Sequence, residues 1–264
     1  MTWLAAYAAA GAFVGFLAGL LGIGGGMTLV PILSALFSAQ AFAPAYTVHL
    51  ALGTAMASIV FTSSASVRAH HQRRAVDWAI VRRLAPGMVI GSLLSTLASG
   101  LIAQRVLALT FALIVYAGAL QMLFGGRPSA ARSLPGPPAL LGIGAAIGIV
   151  CGLVSAGGAF LTVPLMLYCG VPLVSAIGTA AALGIPTAVI GAAGFIASGW
   201  RIDGLPDATL GFVFLPALAA LVAGSVLTAP LGARLAHRLP VMTLKRIFAL
   251  LLFALATRMV MAYA

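Results

Sequence analysis

Charge is what this 264-residue chain has least of: 6% of its residues are Asp, Glu, Lys or Arg, and only three of them are acids. A soluble domain carries about 25% charged residues, so this chain cannot clothe a water-facing surface. Residues 1–67 and 133–200 hold no Asp, Glu, Lys or Arg at all. The three acids, Asp77, Asp203 and Asp207, fall between apolar stretches. A proton relay through an intramembrane carboxylate is thereby excluded, and so is a site for a hard metal cation, which needs oxygen anions. Cysteine is scarce too. Cys151 and Cys169 both lie in apolar sequence, show no metal or disulfide spacing, and read as small hydrophobes. No phosphate-cradling loop and no convergent acid, base or nucleophile set is present, so neither a cofactor nor an enzymatic reaction is expected.

Apolar residues fill the space that charge leaves, at 62% of the chain with a mean hydropathy of +1.17. Stretches of about 20 apolar residues, enough to cross roughly 30 Å of hydrocarbon, recur along it. The runs are continuous rather than alternating, which argues against a β-barrel. The expected fold is all-α: a polytopic helical membrane protein with about eight apolar spans in the lipid bilayer. The first apolar stretch has no basic leader, since the first Lys or Arg is Arg68, so it reads as a membrane segment and not a signal peptide. The net charge of +11 resides in short loops between spans, where it sets topology, and no nucleic-acid partner is expected.

Two segments repeat. Gly15, Gly19, Gly24, Gly25 and Pro31 recur as Gly148, Gly152, Gly157, Gly158 and Pro164, each 133 residues later. Ala51-Leu-Gly53-Thr54-Ala55 returns as Ala176-Ile-Gly178-Thr179-Ala180, and Thr62 as Thr187. The chain divides into repeat one (1–126), a linker (127–138) and repeat two (139–264). Repeat one holds a broken segment at 15–38 and spans at 47–66, 84–103 and 106–124. Repeat two holds a broken segment at 148–169 and spans at 174–198, 208–232 and 241–263. The basic loop follows the second span in repeat one (68–83) but comes one span later in repeat two (234–246). Lys and Arg mark cytoplasmic loops, so the repeats are expected to be inverted, with 68–83, 125–138 and 234–246 cytoplasmic and the protein in the inner (plasma) membrane. Eleven of the 14 Lys and Arg residues lie in those three loops.

Glycine is abundant where a helix should run. Gly22-Ile-Gly24-Gly25-Gly26 costs about 1 kcal/mol per glycine relative to alanine. Non-helical backbone at membrane depth survives only where protein or a watery cavity satisfies it. Interrupted helices at matching places in two halves are the sequence pointer to a transporter's binding site. A helix restarting after the break aims free N–H groups and a positive dipole end into that site, which suits an anion. A dinucleotide fingerprint is excluded, because Met27 stands where its third glycine belongs. Gly15, Gly19, Gly148 and Gly152 read as close-packing positions between helices. The substrate-binding candidates are Gly24, Gly25, Gly26, Thr28, Gly53, Thr54, Gly157, Gly158, Thr162, Gly178 and Thr179; a membrane Thr can equally bond its own helix. His49, aligned with Val174 in repeat two, is the candidate for proton coupling, its alternative being an interfacial structural histidine.

The paired glycine segments, the Gly-Thr-Ala motifs, the His71-x-Arg73-Arg74…Val76-Asp77-Trp78 loop and the closing Gly232-Ala-Arg234-Leu-Ala-His237-Arg238-Leu-Pro240 together resemble the TauE/SafE sulfite-exporter family. That resemblance implies a permease for small sulfur-containing anions such as sulfite, sulfonates or sulfoacetate. The residues themselves point to a small anionic substrate and no further. A secondary transporter working by alternating access is the first reading. A passive channel for small solutes, a carrier of another small organic anion and a non-transporting assembly protein stay open, as does a homo-oligomeric state. Repeat two departs from repeat one in carrying Ser155-Ala where repeat one has Gly22-Ile, so the half-sites are expected to differ in polarity.

Overall fold

The computed structural model describes residues 2–21, 25–124, 134–235 and 241–263. Gly24, the linker segment 125–133 and residues 236–240 of the last basic loop lie outside the described residues. The rest is helical apart from one short hairpin. In chain order the elements are α1 (Thr2–Leu21), α2 (Gly26–Ala39), α3 (Thr47–Gln72), α4 (Trp78–Ser99), α5 (Gln104–Phe124), α6 (Pro137–Val154), α7 (Ala159–Tyr168), α8 (Leu173–Gly199), β1 (Thr209–Leu210), β2 (Val213–Phe214), α9 (Leu215–Leu235) and α10 (Val241–Tyr263). Among the described residues seven helices are long and apolar enough to cross a membrane: α1, α3, α4, α5, α6, α8 and α9. The protein is a multi-pass helical membrane protein.

Three boundaries differ from the sequence expectation, each for a local reason. α4 begins at Trp78 rather than 84 because Asp77 caps it, its carboxylate accepting from the N–H groups of Ala79 at 2.9 Å and Ile80 at 3.2 Å. α9 begins at Leu215 rather than 208 because Thr209–Leu210 pairs antiparallel with Val213–Phe214 and takes up the preceding residues. α3 continues past residue 66 to Gln72, carrying the exposed Arg68 on its last turns.

Packing follows the small residues. α1 lies parallel to α9, with Gly11 against Leu221, Gly15 against Ser225 and Gly232 against Phe16. α4 lies against α6 in the same manner, with Gly87 against Leu141, Gly91 against Ala145 and Gly148 against Met88. At each of these glycines an added Cβ would penetrate the facing backbone, so backbones meet where larger side chains would hold them apart. The first and fourth helices of one five-helix series thus embrace the fourth and first of the other. α3 and α8 cross antiparallel at the centre: Met56 faces Gly191, Ser63 faces Gly184 and His70 faces Gly178. α2 and α7 are too short to span. At 14 and 10 residues they reach about 21 Å and 15 Å at 1.5 Å per residue.

The first broken segment is re-entrant. Gly25 folds back over Val14 and Ala18 of α1, and Phe37 near the end of α2 packs edge-on against Tyr7 at 6.0 Å. The chain therefore returns toward the face it entered from. The second segment turns likewise, with Gly158 back over Cys151 and Ile147 of α6.

Candidate functional site

The two breaks meet. α6 ends at Ser155, which takes the left-handed conformation (φ +46°), and α7 restarts from Gly158 (φ +86°). α2 restarts from Gly25 (φ +72°). Left-handed backbone costs an L-residue roughly 1–2 kcal/mol, which is why glycine occupies both restart positions. Gly26, the first residue of α2, abuts the Ser155 carbonyl so closely that a Cβ there would stand 1.7 Å from it and 2.8 Å from Ile59 Cδ1. Ser155 Oγ donates to the Leu52 carbonyl of α3 at 2.8 Å, tying the second break to the first repeat's central helix. The Gly157 carbonyl and Ser63 Oγ crowd Gly184 of α8. Gly25, Gly26, Ser155, Gly157 and Gly158 are all buried, with Gly26 beside Ile59 and Ser155 on Leu52 of α3.

The first turns of α2 and α7 are unlike in one respect. Thr162 Oγ1 donates to the Gly158 carbonyl at 3.0 Å and is thereby satisfied within its own helix. Thr28, also in a first turn, is fully buried and its Oγ1 has no hydrogen-bond partner. Cα–Cβ bonds lean toward a helix's N-terminus, so the Thr28 hydroxyl sits on the side of the Gly26 and Met27 N–H groups, those of Thr28 and Leu29 being spent on the Gly25 carbonyl. Among the described residues no Asp, Glu, Lys or Arg side chain is buried. Chemically, the junction offers N–H donors, a spare hydroxyl and two helix dipoles without a fixed charge, an arrangement that favours an anion over a cation.

The Gly-Thr motifs fall elsewhere. Thr54 Oγ1 accepts the Phe214 N–H at 3.0 Å, and Thr179 Oγ1 accepts the Asp77 N–H at 2.9 Å; both threonines are fully buried. Gly53 lets the Phe212 carbonyl approach α3, and Gly178 lets the Ala75 carbonyl approach α8. Thr62 and Thr187 donate to the Ser58 and Leu183 carbonyls of their own helices at 2.7 Å and 2.8 Å. His49 lies apart from the breaks. Its Nε2 reaches the carbonyls of Ser99 and Ile102, both at 3.1 Å, which places the proton on Nε2 and leaves the buried Nδ1 unpartnered. The imidazole is tilted over Phe212 at 4.9 Å.

Sequence reasoning missed Ser155, the residue that joins the breaks. Its signal was the departure of Ser155-Ala from Gly22-Ile, read only as a difference in polarity. The partners of Thr54 and Thr179 carried no sequence signal, because backbone N–H groups are the same at every residue.

The family model described as Sulfite exporter TauE/SafE matches residues 7–259. A curated relative from Haemophilus influenzae, described as a probable membrane transporter protein, is 35% identical over 251 residues, covering 94% of this chain and 95% of the relative. No solved structure matches. A match of this extent over a multi-pass helical fold with paired broken helices is decisive: the chain belongs to the TauE/SafE sulfite exporter family of membrane transporters.

Proposed function

We propose that this protein is a secondary transporter of small sulfur-containing oxyanions, of the sulfite, sulfonate or sulfoacetate type, and that it works by alternating access between two inverted repeats. The observation that carries the reading is the junction of the breaks: α2 starting at Gly26 against Ser155, with the buried Thr28 hydroxyl left without a partner. An oxyanion there would accept from the first-turn N–H groups of α2 and from Thr28, its charge met by dipoles and not by a buried cation. Gly24, Gly25, Gly26, Thr28, Gly157, Gly158 and Thr162 form the proposed site. The sulfur chemistry rests on the family's printed description.

The proposed topology places the exposed arginines of the α3–α4 turn (Arg73 and Arg74) and of the start of α4 (Arg82 and Arg83) on the cytoplasmic side of the inner membrane. His49 is the proposed proton-coupling residue, supported by its buried, unpartnered Nδ1. The test is substrate counterflow in proteoliposomes with labelled sulfite and a labelled short sulfonate. Saturable exchange that is lost in Thr28→Val and retained in Thr28→Ser supports the reading. Flux that never saturates and never accumulates substrate against a gradient would indicate a passive channel instead.

A further inference from the structure

We infer that the two Gly-Thr motifs are the outer and inner gates of the transport pathway, and that the structure is closed at both. The inference rests on the alternating-access reading above but concerns residues outside the anion junction.

The two contacts match in every part. Gly53 and Thr54 of α3 receive the segment leading into α9: the Phe212 carbonyl lies on Gly53 and the Phe214 N–H donates to Thr54 Oγ1 at 3.0 Å. Gly178 and Thr179 of α8 receive the segment leading into α4: the Ala75 carbonyl lies on Gly178 and the Asp77 N–H donates to Thr179 Oγ1 at 2.9 Å. Each contact joins a helix of one half to the entry segment of a helix in the other. In each the glycine permits the approach and the threonine accepts one N–H that would otherwise be buried unpaired.

Their positions relative to the breaks give the function. Gly178 faces His70, which is 17 residues along α3 from Gly53, so the contacts are about 25 Å apart at 1.5 Å per residue. Gly26 meets Ile59, and Ser63 faces Gly184 beside the Gly157 carbonyl. The junction thus lies between the two contacts, reaching the outer one through Ser155 Oγ on the Leu52 carbonyl and ending roughly 10 Å short of the inner one along α3. A site enclosed between two matched contacts at opposite ends of the bundle, each joining the two halves, is the geometry alternating access requires. One contact parts while the other holds.

Both contacts are reinforced by neighbouring rings. The outer one is braced by His49, whose imidazole covers Phe212 while Nε2–H donates to Ser99 and Ile102, and by Phe214 packed among Tyr7, Phe37 and Phe42. At the inner contact the buried His70 lies on Gly178 beside the Ala75 carbonyl, and His71 packs edge-on against Trp78 while its Nδ1 accepts the indole N–H at 3.3 Å.

Two buried serines on α3 serve as reporters: Ser58, four residues from Thr54, and Ser66, four residues from His70. In a chain carrying Cys151→Ser and Cys169→Ser, Ser58→Cys and Ser66→Cys are introduced singly and labelled by a membrane-impermeant maleimide from each side of oriented vesicles. Thr54→Val should raise labelling of the Ser58 reporter from the α9-entry side about tenfold without raising that of the Ser66 reporter from the opposite side. Thr179→Val should do the reverse, and Thr→Ser at either position should restore the original rates. Equal increases at both reporters from either valine variant, or no change from both, would overturn the gate assignment. Opposite shifts in a protein that exchanges no sulfur oxyanion would uphold the gates and refute the substrate.

Discussion

Gly26→Ala tests the junction most sharply, because propensity and packing pull in opposite directions there. Alanine in a helix is favoured over glycine by roughly 0.5–1 kcal/mol, so propensity alone predicts a more stable protein. The new Cβ would stand 1.7 Å from the Ser155 carbonyl oxygen, and what it meets is backbone, which cannot rotate aside. Restoring ordinary contact at 3.4 Å requires the two breaks to part by about 1.7 Å. Overpacking of this kind costs typically about 1–3 kcal/mol, which outweighs the propensity gain. Gly142→Ala is the matched control: it lies in α6, is exposed, and has nothing within 4 Å of its added Cβ. The assay is oxyanion counterflow in proteoliposomes together with thermal unfolding in detergent. Gly26→Ala should lower exchange at least tenfold, at about 1.4 kcal/mol per decade, and lower the midpoint; Gly142→Ala should hold or raise the midpoint with exchange unchanged. A Gly26→Ala protein that melts and exchanges like the wild type would refute the convergence of the breaks.

Other substitutions separate the remaining parts of the account. Thr28→Val should weaken oxyanion binding about tenfold or more, read by titration calorimetry, whereas Thr162→Val, whose hydroxyl is already spent on Gly158, should weaken it far less. Gly25→Ala and Gly158→Ala each force a left-handed alanine and should cost roughly 1–2 kcal/mol of thermal stability. Asp77→Ala removes the α4 cap and should cost about 1 kcal/mol by denaturation, while Asp77→Asn should retain most of it. His49→Leu leaves the Ile102 carbonyl without its donor, the Ser99 carbonyl keeping the Ile102 N–H at 3.1 Å, and should cost about 1–3 kcal/mol, with Ser58-reporter labelling rising as the brace on Phe212 is lost.

The helical membrane fold was legible because hydropathy acts over 20 residues at a time and needs no partner to be read. The restart positions were legible for a related reason. Glycine at Gly25 and Gly158 records a backbone conformation, and that is a local property. The start of α4 was not found, since Asp77 was read as a loop acid and its capping of Ala79 and Ile80 depends on geometry that composition does not carry. The start of α9 was missed because the Thr209–Phe214 hairpin is as apolar as the helix that follows it. At the junction, sequence named the glycines but not Ser155, whose cross-chain bond to Leu52 joins residues 103 apart. Thr54 and Thr179 were recognised as a pair from the repeat. What they hold, two backbone N–H groups 160 and 102 residues away, exists only once the halves have packed.

The most direct measurement of the central claim is to locate the anion itself. Selenite has the shape and charge of sulfite and carries an anomalous scatterer, so crystals grown with it report the position of the bound oxyanion without assumption. The account predicts one anomalous peak at the junction, within hydrogen-bond reach of Thr28 Oγ1 and the first N–H groups of α2, and its loss in Thr28→Val. A peak confined to the exposed arginines of the α3–α4 turn and the start of α4, or no peak under conditions where counterflow proceeds, would contradict it.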